Sequence, residues 1–251
     1  MFTRLKRFFA ARFTQGTQPK LKKISDYAVV EPEYRDWHVG SEFLVYGNGP
    51  TVKDFQPELE RLVVKRNLIV MGVNNTNGIK APDYHFFINR RRFCNYAKTI
   101  HHSSKVILSP AFPNTMINEF YQGPYELLQA QMKSNTVLVG ELGKVSIDNK
   151  GIIFTDGAQV STIAMAVAIV MGARVIYVAG MDGFSGTGNQ KFYHYDEKDF
   201  NHSRDLEQLR KVTSKILDDI NNELCLRGGD GIHLVTPGDY DKFYTPIENF
   251  L

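Results

Sequence analysis

The chain contains the run Phe43-Leu44-Val45-Tyr46-Gly47-Asn48-Gly49-Pro50, which decides the prediction of its fold. Four apolar residues predict a buried strand, and Gly-Asn-Gly-Pro predicts a tight turn into a helix. A second apolar run, Val175–Ala179, ends in a similar way with Gly180-Met181-Asp182-Gly183. In an open parallel sheet, ligands bind beyond the carboxyl ends of the strands, where backbone amides face solvent. Both runs place small and polar residues there, which indicates an enzyme that handles a nucleotide or another phosphorylated substrate.

Strands and helices alternate along most of the chain after residue 41. Helical spacing of apolar residues is clearest between Arg204 and Leu224, after a capping Ser203. Helices between strands indicate an α/β fold with a mainly parallel sheet flanked by helices. The predicted strands are Phe43–Tyr46, Leu68–Val73, Tyr84–Ile88, Lys105–Leu108, Val175–Ala179 and Ile232–Val235.

The sequence divides into two parts. Residues 1–40 form a basic amphipathic segment followed by a Gly-, Pro- and charge-rich linker, and residues 41–251 form the catalytic domain. Within the domain, residues 110–150 and 185–202 interrupt the alternating pattern, and we expect a small lid or insertion there. Residues 110–150 are broken up by Pro113, Gly123 and Pro124.

The charge of the chain is unevenly distributed. The 251 residues carry a formal net charge of +3. Residues 1–25 nevertheless hold seven Lys or Arg and no acid, so the remainder carries about −4. The body of the protein is therefore not a basic nucleic-acid binder. The two cysteines, Cys94 and Cys225, form no motif, which favours a reducing, cytoplasmic location.

The N-terminal segment has the pattern of an interfacial helix. Its apolar residues Phe2, Leu5, Phe9 and Phe13 fall on one side of a helix, and Arg and Lys cover the rest. This pattern predicts contact of residues 1–25 with an anionic membrane surface, peripheral to the inner face of the cytoplasmic membrane. A mitochondrial-type presequence and a solvated basic terminus are the alternatives. No run reaches the roughly 20 apolar residues of a spanning helix.

Candidate nucleotide- or donor-binding residues follow the predicted strands. Asparagine amides can contact a base, ribose or carboxylate without adding charge, and glycines allow close backbone approach. Each residue taken singly can also be an ordinary turn residue, and Asp156 can be either a ligand contact or the N-cap of the next helix. The candidates are Gly47, Asn48, Gly49, Pro50, Asn74, Asn89, Asp156, Gly157 and Asp182.

A second group of candidates lies between residues 192 and 203, which are dense in aromatic and titratable side chains. A histidine there can act as a general base near neutral pH. The alternative is a metal site built from His194, Asp196, Asp199 and His202, although their spacing matches no recognised ligand set. The two acids of Asp239-Tyr240-Asp241 match a metal motif of many sugar transferases, but chance explains them better.

Several of these runs resemble one enzyme superfamily. Val45-Tyr46-Gly47-Asn48-Gly49-Pro50-Thr51, Thr155-Asp156-Gly157 and Ile176–Asp182 are similar to the bacterial family-42 sialyltransferases. They are equally similar to the related motility-associated glycosyltransferases and to archaeal 6-hydroxymethylpterin diphosphokinases. His202-Ser203, followed by a helix, resembles the His-Ser that carries the catalytic base of the sialyltransferases. The likeness covers residues 43–240 in scattered blocks.

The resemblance implies a single Rossmann-like domain with a lid. It implies transfer of a sialic-acid-like or Kdo-like ulosonic acid from a CMP-activated donor to a bacterial surface glycan or glycolipid, with inversion and without a metal cofactor. The implied roles are nucleotide binding by the three asparagines, donor contact by Gly157, and deprotonation of the acceptor by His202. Tyr193 and Tyr195 would bind the leaving phosphate. Asp156 stands where the sialyltransferases have Ser, and the tyrosine spacing differs.

Two other functions remain open from the sequence. One is a diphosphokinase that transfers from ATP to a pterin alcohol, with Mg²⁺ held near the phosphates by acids such as Asp156 and Asp182. The other is a non-catalytic nucleotide-binding module in which His202 has no role. A homo-oligomer is compatible with all three functions.

Overall fold

A seven-stranded parallel sheet forms the centre of the protein. The computed structural model describes residues 31–76, 78–133, 143–157, 159–183 and 206–251. The strands of this sheet lie in the order β10-β9-β1-β2-β3-β4-β5, and every neighbouring pair is parallel. Their bounds are β1 Glu42–Tyr46, β2 Ile69–Val73, β3 Tyr84–Phe87, β4 Lys105–Leu108, β5 Tyr125–Leu127, β9 Val175–Ala179 and β10 Gly231–Leu234.

Helices cover both faces of this sheet. They are α1 Thr51–Asp54, α2 Gln56–Arg66, α3 Arg90–Tyr96, α4 Asn114–Phe120, α5 Val160–Val170 and α6 Leu206–Leu226. Alternate residues of β1 point to opposite faces, as the pleat requires. Phe43 and Val45 pack in the core that includes α5 and α6, whereas Leu44 and Tyr46 pack in the core that includes α2. The predicted α/β sheet between two helical layers is therefore confirmed.

The strand order reverses direction next to β1. Strands β2 to β5 extend from one side of β1, whereas β9 and β10 extend from the other. In open α/β sheets, the loops that leave the two strand ends at such a reversal run to opposite faces, and ligands bind beside them at the carboxyl edge of the sheet, which we call the crevice. The fold prediction started from the apolar runs of β1 and β9, and these two strands end on either side of this crevice.

The described parts of residues 110–150 contribute strands to two different sheets. Their first part adds β5 to the edge of the main sheet, beside β4. Strand β6 Ala130–Lys133 follows at once, and with β7 Lys144–Ile147 and β8 Ile153–Asp156 it forms a three-stranded sheet in the order β6-β8-β7. The expectation of a lid or insertion in residues 110–150 and 185–202 stays a prediction, since residues 134–142 and 184–205 lie outside the described part of the chain. These strands are short, so pairing with distant residues determines them more than local periodicity.

Helix α6 covers the open edge of the small sheet. The backbone N–H of Val145 in β7 donates to Asp219 Oδ2 at 2.9 Å, and that of Ile147 donates to Glu223 Oε1 at 3.3 Å. One turn further along α6, Arg227 Nη2 donates to the Ile147 carbonyl at 2.9 Å. Side chains four residues apart on one face of α6 thus form hydrogen bonds with backbone groups of β7 that would otherwise be open to pairing with a further strand.

The predicted linker does not extend to residue 40. Tyr34 is buried in the main core, and its hydroxyl accepts a hydrogen bond from the Gln129 N–H at 3.1 Å. The N–H groups of Asp36, His38 and Gly40 donate to the carbonyls of residues 170, 171 and 172, at the end of α5. These contacts satisfy carbonyls that a helix end leaves open, so residues 31–40 belong to the folded domain.

Candidate functional site

The ends of β1 and β9 approach each other closely. The Gly47 N–H donates to the Ala179 carbonyl and the Gly49 N–H donates to the Gly180 carbonyl, both at 2.8 Å. A Cβ on Gly47 would lie within 3.0 Å of the Gly180 carbonyl, and a Cβ on Gly49 within 3.0 Å of the Asp182 carboxylate. The two glycines of the Gly-Asn-Gly-Pro turn therefore allow one strand end to pack against the other.

Asp182 fastens the turn after β9 to the helix after β1. Its Oδ2 accepts the backbone N–H of Thr51 at 2.9 Å, and its Oδ1 accepts the Thr51 hydroxyl. Thr236, which follows β10, joins the same network: its Oγ1 lies 3.0 Å from Thr51 Oγ1 and accepts the Gly180 N–H at 3.0 Å. The sequence predicts that Asp182 contacts the nucleotide or sugar donor. In the structure, both of its carboxylate oxygens accept hydrogen bonds from Thr51.

The carboxyl group of Asp182 is buried in this network. Burial raises the pKa of Asp182, and the nearby charges of Asp54 and Asp239 act in the same direction. The two hydrogen bonds from Thr51 favour the ionised form and oppose the shift. The network therefore contains a carboxyl group whose pKa is above its ordinary value.

Asn48 and Asn74 meet on the other side of the turn. Asn74 Nδ2 donates to Asn48 Oδ1 at 3.4 Å, and Asn48 Nδ2 donates to the Asn75 carbonyl at 2.9 Å. The two side chains belong to residues that are only 8% and 3% exposed. Of the three asparagines predicted to share a pocket, the structure thus brings Asn48 and Asn74 together, and they form a neutral polar floor at the carboxyl edge.

Asn89 lies at the end of β3 but plays a visible structural role. It is the N-cap of α3, and its Oδ1 accepts the Arg92 N–H at 3.1 Å. The residue is exposed, in contrast to Asn48 and Asn74. Capping by Asn satisfies an otherwise open N–H of the first helical turn. The hydrogen bond of the Asn89 side chain thus goes to the helix that follows β3 and not to the asparagine pair.

Helix α5 brings Gly157 to the same edge of the sheet. The end of α5 bonds to residues just before β1, so the helix runs antiparallel to the strands. Its 11 residues span about 16 Å. The five residues of β1 span about 16 Å as well, so the helix starts level with the carboxyl ends of the strands. Gly157 has a φ of 74°, and it turns the chain from β8 towards this helix.

Asp156 is not the N-cap of α5. It ends β8, where it pairs with Lys144 and Lys133 on the flanking strands. Gln159 caps the helix instead: its N–H donates to Thr162 Oγ1 at 3.0 Å, and its Nε2 donates to Thr213 Oγ1 of α6 at 2.7 Å. The capping interpretation of Asp156 was wrong because the strand continues through it, which delays the helix by three residues.

The predicted catalytic residues lie outside the described part of the chain. These residues are His202, Tyr193 and Tyr195. The basic N-terminal segment, residues 1–25, also lies outside the described residues. Gly183 and Leu206, which flank residues 184–205, are both described. Across the described ranges, no group of three His, Cys, Asp or Glu side chains is placed to hold a metal ion. None of the helices found in those ranges is long and apolar enough to cross a membrane.

Four residues of the site escaped sequence reasoning: Thr51, Asn75, Thr236 and His85. The first three are ordinary polar residues beside strand ends, and nothing local marks their partners. His85 carried a usable signal, because it is a titratable residue inside the apolar run Tyr84–Ile88. Its Nε2 lies 2.7 Å from the Asn74 carbonyl oxygen, which places it directly behind the asparagine pair.

Comparison with known proteins adds one finding about the fold. No family model matches the sequence, and no curated protein matches it. Among solved structures, the fold is similar to that of the MAf glycosyltransferase from Magnetospirillum magneticum AMB-1, with a TM-score of 0.50 and 12% sequence identity. The likeness covers 88% of this chain and 37% of that chain, so this chain spans little more than a third of that protein's length. The chain has a Rossmann-like α/β fold.

Proposed function

We propose that the protein is a glycosyltransferase that uses a nucleotide-activated sugar. The observation that carries this proposal is the meeting of Asn48 and Asn74 beyond the carboxyl ends of β1 and β2, next to the point between β1 and β9 where the strand order reverses. That position binds nucleotides in open α/β sheets generally. The similarity in fold to a solved glycosyltransferase supports the choice of reaction class.

We further propose that the donor is a CMP-activated ulosonic acid, of the sialic-acid-like or Kdo-like type. Amide groups of Asn48 and Asn74 hold the cytidine or its ribose, which are neutral and rich in donors and acceptors. Asn89, at the end of the next strand, contacts the nucleotide through groups not used in capping. The turn at Gly157 brings the first turn of α5 to the phosphate and the donor sugar, and the N–H groups there favour an anion.

In this proposal, the transfer inverts the configuration at the anomeric carbon. His202 accepts the proton of the acceptor hydroxyl as its oxygen bonds to that carbon. The bond from the carbon to the phosphate oxygen breaks, and CMP leaves. Tyr193 and Tyr195 donate hydrogen bonds to the departing phosphate. Negative charge grows on this phosphate in the transition state, so the hydrogen bonds stabilise the transition state more than the ground state. No metal is required by this sequence of steps, and the acceptor is a bacterial surface glycan or glycolipid.

A transfer assay tests the role of His202. With a CMP-activated donor and a mixture of lipid-linked and free glycan acceptors, His202→Ala should lower turnover by at least about 100-fold, as general-base catalysis contributes this much. CMP affinity should remain within about twofold of wild type. The exposed His101 supplies a matched control, since His101→Ala should leave both quantities unchanged. Equal turnover by His202→Ala and wild type would remove His202 from the mechanism.

A nucleotide panel separates this function from its alternatives. Stabilisation by CMP or CDP without metal supports the glycosyltransferase. Stabilisation by ATP only with Mg²⁺ supports a diphosphokinase acting on a pterin-type alcohol. Nucleotide binding without turnover of any activated sugar or alcohol indicates a non-catalytic module.

We also propose that residues 1–25 hold the enzyme at an anionic membrane surface, where a glycolipid acceptor would be. Their seven basic residues would each contribute about 1 kcal/mol near such a surface. Deletion of residues 1–25 should preserve turnover of a soluble acceptor and reduce sedimentation with vesicles that contain phosphatidylglycerol. Equal sedimentation of the shortened and full chains would rule out this anchor.

A further inference from the structure

His85 occupies a buried position where an apolar side chain would avoid the free-energy cost of burying polar nitrogen atoms. It lies in β3 with none of its surface exposed, and its ring is 4.5 Å from that of Phe87. Its neighbours in the sheet register are Gly72 on β2 and Val106 on β4. In the described part of the chain, its Nδ1 is buried with no hydrogen-bond partner. A buried polar atom in this state destabilises the fold, so the imidazole needs a compensating contact.

The compensating contact is made with the backbone of Asn74. His85 Nε2 and the Asn74 carbonyl oxygen are 2.7 Å apart. A carbonyl only accepts, so Nε2 carries the proton and donates it, and the ring is the neutral tautomer with an open Nδ1. Burial supports the same protonation state, since it lowers the pKa of His85 to about 4.

Asn74 adopts a backbone conformation that calls for such support. Its φ of 53° lies in the left-handed region, which asparagine enters more readily than most residues with a side chain but still at some cost. In this conformation the chain turns sharply at the end of β2. That turn aims the Asn74 side chain at Asn48, and it places the Asn75 carbonyl where Asn48 Nδ2 can donate to it.

We propose that His85 is a positioning residue for nucleotide binding, because its hydrogen bond holds the turn that sets the Asn48–Asn74 pair. This inference rests on the proposed function for its ligand but not for its geometry. His85 itself does not contact the nucleotide. It acts from within the sheet, through one carbonyl, on two buried side chains at the carboxyl edge.

Two substitutions and one control separate positioning from general stabilisation. His85→Phe keeps a flat ring and removes the donor, whereas His85→Gln keeps an amide donor at nearly the reach of Nε2. Phe87→Leu is the matched control, since it removes packing volume beside the ring on the same strand face and touches no hydrogen bond. All measurements are made at a temperature where each variant is fully folded.

The first readout needs no ligand. In ¹⁵N-labelled protein, the side-chain NH₂ signals of Asn48 and Asn74 are assigned by Asn48→Asp and Asn74→Asp. His85→Phe should shift both pairs of signals and raise their solvent-exchange rates at least tenfold. His85→Gln should restore them in part, and Phe87→Leu should leave them unchanged. Unchanged asparagine signals in His85→Phe, or equal changes in Phe87→Leu, would overturn the proposal.

The second readout is CMP affinity by titration calorimetry. We expect the Kd to rise at least tenfold in His85→Phe, at most threefold in His85→Gln, and less than twofold in Phe87→Leu. An unchanged Kd in His85→Phe, with CMP binding intact in wild type, overturns the role in nucleotide binding and leaves the glycosyltransferase proposal standing. If wild type binds no nucleotide while the asparagine signals respond as expected, the proposed function fails and the positioning of the pair by His85 is supported.

Discussion

Asp182 accepts the backbone N–H of Thr51 across 131 residues of sequence, at 2.9 Å. This single carboxylate joins the turn after β9 to the first residue of α1, and the Thr51 hydroxyl donates to it as well. The bond crosses the point where the strand order reverses, so it fixes the relative position of the two loops that border the crevice. The geometry of the proposed binding site depends on this connection.

Replacement of Asp182 should separate its structural role from its charge. Asp182→Ala removes the acceptors of two part-buried donors of Thr51, and we expect the free energy of unfolding to fall by about 1–3 kcal/mol. Asp182→Asn keeps one acceptor and removes the buried charge, so it should cost less than Asp182→Ala. Urea denaturation at neutral pH measures both, with exposed Glu248→Ala as the control. A larger loss for Asn than for Ala would contradict this account.

The glycines of the turn should tolerate no side chain. Gly47→Ala places a Cβ within 3.0 Å of the Gly180 carbonyl, which is backbone and cannot rotate away. We expect a loss of about 1–3 kcal/mol from overpacking, and weaker CMP binding because β1 and β9 must separate.

A glycine elsewhere in the chain provides the control for this substitution. Gly228 has a φ of 84° and open space around the position of a Cβ, so Gly228→Ala carries only a backbone cost of about 1–2 kcal/mol. The two variants should therefore differ in CMP affinity even where their stabilities are similar. Wild-type CMP affinity in Gly47→Ala would show that the strand ends need not touch for binding.

His85 should make the folded protein sensitive to mild acid. Its pKa is about 4 in the folded state, against 6.5 for an ordinary histidine. The unfolded chain therefore binds this proton at higher pH than the folded chain, so stability is complete above about pH 6.5 and declines as the pH falls towards 4. Full protonation of His85 should lower the free energy of unfolding by about 3 kcal/mol, because each pKa unit between the folded and unfolded states corresponds to about 1.36 kcal/mol.

The difference between wild type and His85→Phe isolates this contribution from other titrating groups. Burial also lowers the pKa of His38 and His233, and it raises that of Asp182, so the wild-type curve alone is a mixture. Urea denaturation at several pH values between 4 and 7 should give a stability difference that changes by up to about 3 kcal/mol in favour of His85→Phe as the pH falls. A stability difference that does not change with pH would show that His85 is protonated as readily in the folded protein as in the unfolded chain.

The carboxylates of α6 should protect the edge of the small sheet. Asp219→Ala removes the acceptor of the Val145 N–H, and we expect this amide to exchange with solvent at least tenfold faster. Asp218→Ala is the control, because the Asp218 carboxylate is adjacent in sequence and contacts the Lys242 side chain instead. Hydrogen exchange measured by mass spectrometry of peptides that cover residues 143–148 would show the difference. Equal protection of Val145 in Asp219→Ala and Asp218→Ala would contradict the proposed covering of this edge.

Elements with a strong local pattern could be predicted closely from sequence. Lys105–Leu108 and Val175–Ala179 are strands with the predicted bounds, and Gly172 follows the end of α5 in the left-handed conformation, as a helix stop should. The convergence of Asn48 and Asn74 followed from one rule, that neighbouring parallel strands end at the same edge. In these cases local pattern and tertiary structure agree.

Features that depend on distant partners could not be predicted. Tyr34 lies in a polar stretch that resembles a linker, and only its contacts with Gln129 and the core show that this stretch is folded. Likewise, no local pattern joins Thr51 to Asp182 or Asp219 to Val145, because each pair is separated by more than 70 residues. Gln159 as a helix cap was also missed, since glutamine is not among the residues favoured there.

The central claim is that the Asn48–Asn74 pair holds the nucleotide of a CMP-activated donor, and titration calorimetry with CMP tests it most directly. Wild type should bind CMP without added metal, and Asn48→Ala should raise the Kd at least tenfold while exposed Asn95→Ala leaves it unchanged. Binding of ATP in place of CMP, or an unaltered CMP affinity in Asn48→Ala, would contradict the claim.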